Sequence, residues 1–155
     1  MQKINGHNIA DNLYEPAMEL IGRAYADKCN LTVGGGTRTY NEQLTLRRAH
    51  VIDKSKQSDM DYLAKADNGL FNPRTARPGT SNHELKDGKA YAIDFNTKGP
   101  NGTILKEYEW LVKNAHKYGW VRTVPSERWH WEYRPGWGRY QYVPKDHESW
   151  DGHNL

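Results

Sequence analysis

Apolar residues at Leu13, Ala17, Leu20, Ile21 and Ala24 recur every three or four positions, which predicts an amphipathic helix over Asn12–Lys28 with Pro16 in its first turn. Leu31-Thr32-Val33 reads as a short strand, stopped by Gly34, Gly35 and Gly36. Tyr40–Ala49 reads as a second helix, with Leu44 inward and Arg47 and Arg48 outward. From Ile52 to Thr80 the chain turns polar and is punctuated by Gly69, Pro73, Pro78 and Gly79. That stretch predicts a long loop holding one or two helical turns, and loops of such length in compact domains are usually functional or mobile. Ala90–Phe95 is the clearest strand. Ile104–Tyr118 is the clearest helix, with Leu105, Tyr108, Leu111, Val112 and Ala115 on one face and Gly119 as its C-cap. Trp120–Val124 and Arg128–Arg134 read as two further strands, separated by Pro125 and Ser126. The tail Pro135–Leu155, rich in Gly, Trp, Tyr and Pro, reads as an irregular wrap over the sheet or beside a site. No internal repeat or low-complexity segment interrupts the chain.

Strand alternation sorts the side chains by face. In the Ala90–Phe95 strand, Tyr91, Ile93 and Phe95 point one way, and Ala90, Ala92 and Asp94 the other. Two alanines beside one aspartate leave a small hollow around a carboxylate that would be costly to bury alone. In Arg128–Tyr133 the same rule puts Trp129, Trp131 and Tyr133 on one face, opposite Arg128, His130 and Glu132. Each strand therefore presents one potential metal ligand on a face cleared of bulk. The elements predict an α+β fold: a small, mainly antiparallel sheet carries Asp94 and His130 on one face, and the Asn12–Lys28 and Ile104–Tyr118 helices pack on the other.

Composition narrows the classes. The chain's 155 residues suit one domain with a real core, residues 1–155, and are too few for two of ordinary size. Ten Tyr and six Trp against two Phe describe rings with one wet edge, as in a substrate groove. A net charge of +3, spread without basic runs, argues against a nucleic-acid partner. The single cysteine, Cys29, allows neither an internal disulfide nor a cysteine-based zinc cluster. The N-terminus lacks the apolar core of a signal peptide, and no window approaches the roughly 18 apolar residues of a membrane span. The expectation is a monomer made in the cytoplasm, without a membrane partner.

His83, Asp94 and His130 can together supply the three His and carboxylate ligands of a catalytic zinc ion, leaving a fourth position for water. Such a site also needs a carboxylate as general base, and Glu127 and Glu132 are the candidates. His7, His50, His116, His147 and His153, at termini, helix ends and in the tail, read as surface residues.

The stretch Thr80–Phe95 followed by Glu127–Tyr133 resembles the two signatures of the zinc D-alanyl-D-alanine carboxypeptidase and dipeptidase family, which also contains phage L-alanyl-D-glutamate endolysins. Ser81, His83, Ala92 and Asp94 fit the first signature, and Glu127, Trp129 and His130 fit the second. Val33–Gln43 resembles the family's strand-turn segment, and Glu107–Trp120 its helix between the two signatures. The likeness runs from about Leu31 to Tyr133. It departs in the spacer after His83, which is longer through Leu85-Lys86-Asp87-Gly88, and in Ala90 at a position the family fills with glycine.

The resemblance implies a hedgehog-like metallopeptidase fold with Zn2+ held by His83, Asp94 and His130. It implies Glu127 as the base, against the strand parity that favours Glu132. It also implies Arg38 as the oxyanion partner and Ser81, Gln43 and Trp129 as substrate contacts. The substrate implied is a peptidoglycan stem peptide, cut either as a D,D-carboxypeptidase or as an L-alanyl-D-glutamate endopeptidase. Without a signal peptide, a phage-type wall peptidase is expected, released through a holin or delivered in a virion. The rival reading is a non-catalytic wall-binding or virion module of the same fold.

Overall fold

The computed structural model describes residues 1–124 and 126–136. A two-stranded hairpin, β1 (Gln2–Ile4) and β2 (His7–Ile9), precedes helix α1 (Asp11–Ala26). Strands β3 (Val33–Gly35), β4 (Ala92–Phe95), β5 (Trp120–Arg122) and β6 (His130–Tyr133) form an antiparallel sheet in the order β3-β4-β6-β5. Helices α2 (Tyr40–His50) and α3 (Met60–Lys65) lie between β3 and β4, and α4 (Lys106–Asn114) lies between β4 and β5.

The core sits between one face of this sheet and the helices. Leu13, Ala17, Leu20 and Ala24 of α1 and Tyr108 and Leu111 of α4 pack with Ile93, Phe95, Trp120 and Trp131. The alternation in β4 and β6 explains the division. Ile93, Phe95 and Trp131 enter the core, and Asp94, His130 and Glu132 are left for the opposite face. The α+β expectation is met, and the two predicted helices pack on the predicted side. α1 begins one residue earlier than expected, and Pro16 lies in its second turn, where it offers the Asn12 carbonyl no N–H. The last helix is shorter, ending at Asn114 and tightening into a 3-10 turn over Ala115–Tyr118; Gly119 then caps it at φ 87°. β3 runs into its glycines rather than stopping before them. The predicted tail falls outside the described residues beyond Gly136.

Helix α2 starts at a capping box, in which Thr39 Oγ1 accepts from Glu42 N–H at 3.1 Å and Glu42 accepts from Thr39 N–H at 3.2 Å. Its inner face is polar, which corrects the orientation expected from sequence. Gln43 and Arg47 are the buried residues of the helix, and Leu44 is only partly covered. Arg47 donates to the carbonyls of Thr75 (3.1 Å), Leu63 (2.9 Å) and Ala66 (2.9 Å) and to Asn68 Oδ1, with its guanidinium stacked on the Phe71 ring. The reason lies in the segment that follows α2, where the short helix α3 ends and the chain runs on as a loop. Its buried carbonyls have no strand to pair with, and one five-donor side chain satisfies several of them.

His50, read as a surface residue, is half-buried, with Nδ1 2.6 Å from Thr75 Oγ1, and burial lowers its pKa. Arg47→Met keeps the bulk but strands these carbonyls, and is expected to cost about 3 kcal/mol in urea unfolding. A loss below about 1 kcal/mol would show that water replaces the guanidinium without penalty.

Candidate functional site

The open face of the sheet is where chemistry-bearing side chains meet. Asp94 and His130 are direct cross-strand partners of β4 and β6, so their side chains leave the sheet on the same side. His83 reaches them from the loop before β4. That loop is pinned by Glu84, whose buried carboxylate accepts from the Gly79 N–H (2.7 Å) and Ser81 N–H (3.1 Å), and by Ser81 Oγ, which accepts from His83 N–H at 3.2 Å. The longer spacer turns back on itself between Lys86 and Lys89, with Asp87 and Gly88 at positive φ. It does not displace His83 from the sheet.

The geometry is convergent. His83 Nε2 lies 3.0 Å from Asp94 Oδ1, His130 Nδ1 lies 3.6 Å from the same oxygen, and the two ring nitrogens are 3.2 Å apart. These three donor atoms lie within 4.8 Å of one another, so one ion can meet all of them. Both imidazoles are buried, and Asp94 Oδ1 between them has no hydrogen-bond partner. Two imidazole nitrogens beside a buried carboxylate oxygen without a partner form a set that could hold a cation. A His, Asp, His set matches the ligand chemistry and number of a catalytic zinc centre with one open position.

Their far atoms are held too. His83 Nδ1 lies 3.1 Å from the Gly36 carbonyl, and His130 Nε2 lies 2.7 Å from Glu132 Oε2. The glycine run makes room for this. A Cβ on Gly35 would stand 2.9 Å from Asp94 Oδ2, and one on Gly36 would stand 2.2 Å from the Asn8 carbonyl of the N-terminal hairpin. Burial works against the charged forms of Asp94, His130 and Glu132, but their partners outweigh it. The facing His130 and His83 imidazoles hold the Asp94 carboxyl well below the usual carboxylate range. Asp94 and Glu132 push His130 up to about 9, and His130, Thr123, Arg134 and Asn82 hold Glu132 down at about 2.

The two candidate bases occupy different sides of the His130 ring. A turn closed by the His130 N–H and the Glu127 carbonyl (3.3 Å) brings Glu127 back, with Oε2 3.7 Å from His130 Nδ1, the nitrogen that converges with His83 and Asp94. Glu132 shares His130's face, as strand parity predicts, but meets the opposite nitrogen and is enclosed. Only Glu127 opens onto the space beside the three donor atoms.

Arg38 follows β3, alongside the His83 loop: its N–H donates to the His83 carbonyl (2.8 Å) and its carbonyl accepts from Leu85 (2.9 Å). Its Nη2 lies 4.0 Å from Asp94 Oδ2. Gln43 is buried with both ends of its amide engaged, Oε1 accepting from Arg38 Nη1 (3.1 Å) and Nε2 donating to the Ala76 carbonyl (2.9 Å). Trp129 is 41% exposed, because β6 begins only at His130 and alternation does not reach it. The carbonyl of Gly36, Glu84 and the partners of Glu132 were missed in the sequence; the triple glycine was the one signal of close approach.

The comparisons agree with this architecture. The family model for VanY, D-alanyl-D-alanine carboxypeptidase, matches residues 6–136. A D-alanyl-D-alanine carboxypeptidase of Enterococcus faecalis (strain ATCC 700802 / V583) is 28% identical over 142 residues, 85% of this chain. The chain spans 50% of that protein's length. A mutant of the vancomycin resistance D,D-pentapeptidase VanY from a VanB-type resistance cassette, solved in complex with Zn(II), superposes with a TM-score of 0.60 at 28% identity over 86% of this chain and 76% of that one. VanYB in complex with D-alanine-D-alanine gives 0.61 at 28% identity, covering 86% and 75%. The LdcB LD-carboxypeptidase, at 18% identity and a TM-score of 0.60 over 90% and 64% of the two chains, shares the fold. The fold is shared with these proteins. The chain belongs to the VanY D-alanyl-D-alanine carboxypeptidase family.

Among the described residues no helix is long and apolar enough to cross a membrane.

Proposed function

We propose that this chain is a zinc-dependent D,D-carboxypeptidase that removes the terminal D-alanine from peptidoglycan stem peptides. The observation that carries the reading is the convergence of His83 Nε2 and His130 Nδ1 on Asp94 Oδ1, an oxygen with no hydrogen-bond partner, with Glu127 and Arg38 beside them. His83, Asp94 and His130 hold the zinc, which supplies a Lewis acid that polarises a carbonyl and lowers the pKa of water to roughly 7.

Glu127 takes the proton of the attacking water and later gives it to the leaving amine of D-alanine. Arg38, steadied by Gln43, presents its guanidinium to the negative charge that grows on the scissile carbonyl oxygen. Ser81 spends its hydroxyl on the His83 N–H and has no base beside it, so it orients the loop rather than attacking. Trp129, exposed and next to His130 in sequence, offers an apolar surface to the stem peptide.

The relatives' names favour the terminal D-alanine over the L-alanyl-D-glutamate bond, the other cut considered from sequence. Digestion of a stem pentapeptide ending in D-Ala-D-Ala, with and without chelator and read by mass spectrometry, separates the readings. Free D-alanine lost on chelation supports the carboxypeptidase. New D-glutamate amino termini would move the cut to the endopeptidase bond. Neither product from a zinc-loaded protein would leave a non-catalytic wall-binding module. Arg38→Ala is expected to lower kcat about a hundredfold with zinc still bound; an unchanged kcat would remove Arg38 from the reaction.

A further inference from the structure

Glu132 is enclosed at 1% exposure, and both its oxygens are engaged. Oε2 accepts from Thr123 Oγ1 (2.6 Å) and Asn82 Nδ2 (3.0 Å) and faces His130 Nε2 at 2.7 Å; Oε1 accepts from Arg134 Nε (3.1 Å) and Nη2 (2.8 Å). Its cross-strand partner is Ala92, whose small side chain leaves room for the carboxylate. A buried carboxylate is costly and is tolerated only when satisfied this fully. Arg134 already matches its charge, so packing alone does not explain why one oxygen is aimed at a histidine ring.

The partners show what that oxygen holds. Asn82 precedes His83 in sequence, and its carbonyl accepts from the N–H groups of Tyr91 and Ala92 at the start of β4. One carboxylate thus grips the ring of His130 directly and the His83 loop through Asn82. The two histidines also differ. The far nitrogen of His83 meets a neutral carbonyl, Gly36, and that of His130 meets a carboxylate. A carboxylate there keeps the proton on Nε2, leaves the Nδ1 lone pair facing Asp94 and His83, and makes the ring a stronger donor.

We propose that Glu132 is a positioning residue for the metal: it fixes His130 with Nδ1 presented to zinc and, through Asn82, ties the second histidine's loop to the same anchor. This rests on the zinc reading above. The test is the zinc dissociation constant, by competition with a chromophoric chelator, for wild type, Glu132→Gln and Thr123→Val, with thermal melts of the metal-free proteins alongside.

Glu132→Gln is expected to bind zinc about 10- to 100-fold more weakly, with much of its kcat recovered at saturating zinc. Thr123→Val also removes a hydrogen bond from the carboxylate but leaves the His130 contact, and its zinc affinity should stay near wild type. Unchanged affinity in Glu132→Gln would overturn the role of Glu132 and leave the zinc site standing. Equal losses in the two variants would also overturn it, by showing that general packing is responsible. A wild type that binds no zinc would sink the zinc reading itself and this inference with it. If Glu132→Gln does not fold, the same titration on Glu132→Asp, which keeps the charge but cannot reach the ring, decides in the same way. If neither folds, the carboxylate is structural and the proposal falls.

Discussion

Glu127→Gln is expected to bind zinc as tightly as wild type and to release D-alanine from a D-Ala-D-Ala-terminated peptide about a thousandfold more slowly. The substitution preserves size and removes only the ability to carry a proton. Glu127 lies in the turn before β6 with its side chain 36% exposed, and its contact with His130 is 3.7 Å, so little folding energy depends on it. Stability should change by no more than about 0.5 kcal/mol. A base acts in the transition state and not in ground-state binding, so kcat and kcat/KM should fall together with KM little changed. Stopped assays of D-alanine release, with zinc measured in the same samples, check both halves. Activity within a few-fold of wild type would remove Glu127 as the base. Loss of zinc together with activity would recast it as part of the metal's environment.

The convergence of Asp94 and His130 was legible in the sequence as far as alternation reaches. Two alanines beside Asp94 and aromatic residues flanking His130 declared which face each strand keeps clear, and the Asp94–His130 pairing across β4 and β6 turns those two declarations into one site. His83 was harder, because it stands in a loop whose path is set by Glu84 and the Ser81 hydroxyl, contacts that leave no periodic trace. Alternation correctly put Glu132 on the face of His130 but could not say which ring nitrogen it meets. That depends on a side-chain rotation held by Asn82, Thr123 and Arg134, which come from separate segments.

The error over Arg47 has the same origin. Helical spacing assigns an arginine outward by default, and only the carbonyls at the end of α3 and in the loop behind it, which need donors, draw it inward. Elements with a period could be read from one sequence. Contacts that join unrelated segments could not.

Asp94→Asn should separate zinc binding from folding more sharply than any other single change. The amide keeps the shape but loses the charge that offsets a divalent cation, in a carboxylate whose Oδ1 lies 3.0 Å from His83 Nε2 and 3.6 Å from His130 Nδ1. Loss of a direct ligand should weaken zinc by more than the roughly 10- to 100-fold seen when only an outer partner is removed. Hydrolysis should then be undetectable at zinc levels that saturate wild type.

The ligands come from a loop and two strands distant in sequence, so zinc binds the folded chain and stabilises it. At zinc a hundredfold above its dissociation constant the gain is about 2.7 kcal/mol. For a domain of this size that is a rise in Tm of roughly 5–10 °C. Melts with zinc and with chelator should show this shift in wild type and lose it in Asp94→Asn. A variant that keeps both the shift and the activity would place the metal elsewhere. One that loses the activity but keeps the shift would mean that His83 and His130 alone suffice to hold the ion, and that Asp94 governs its reactivity.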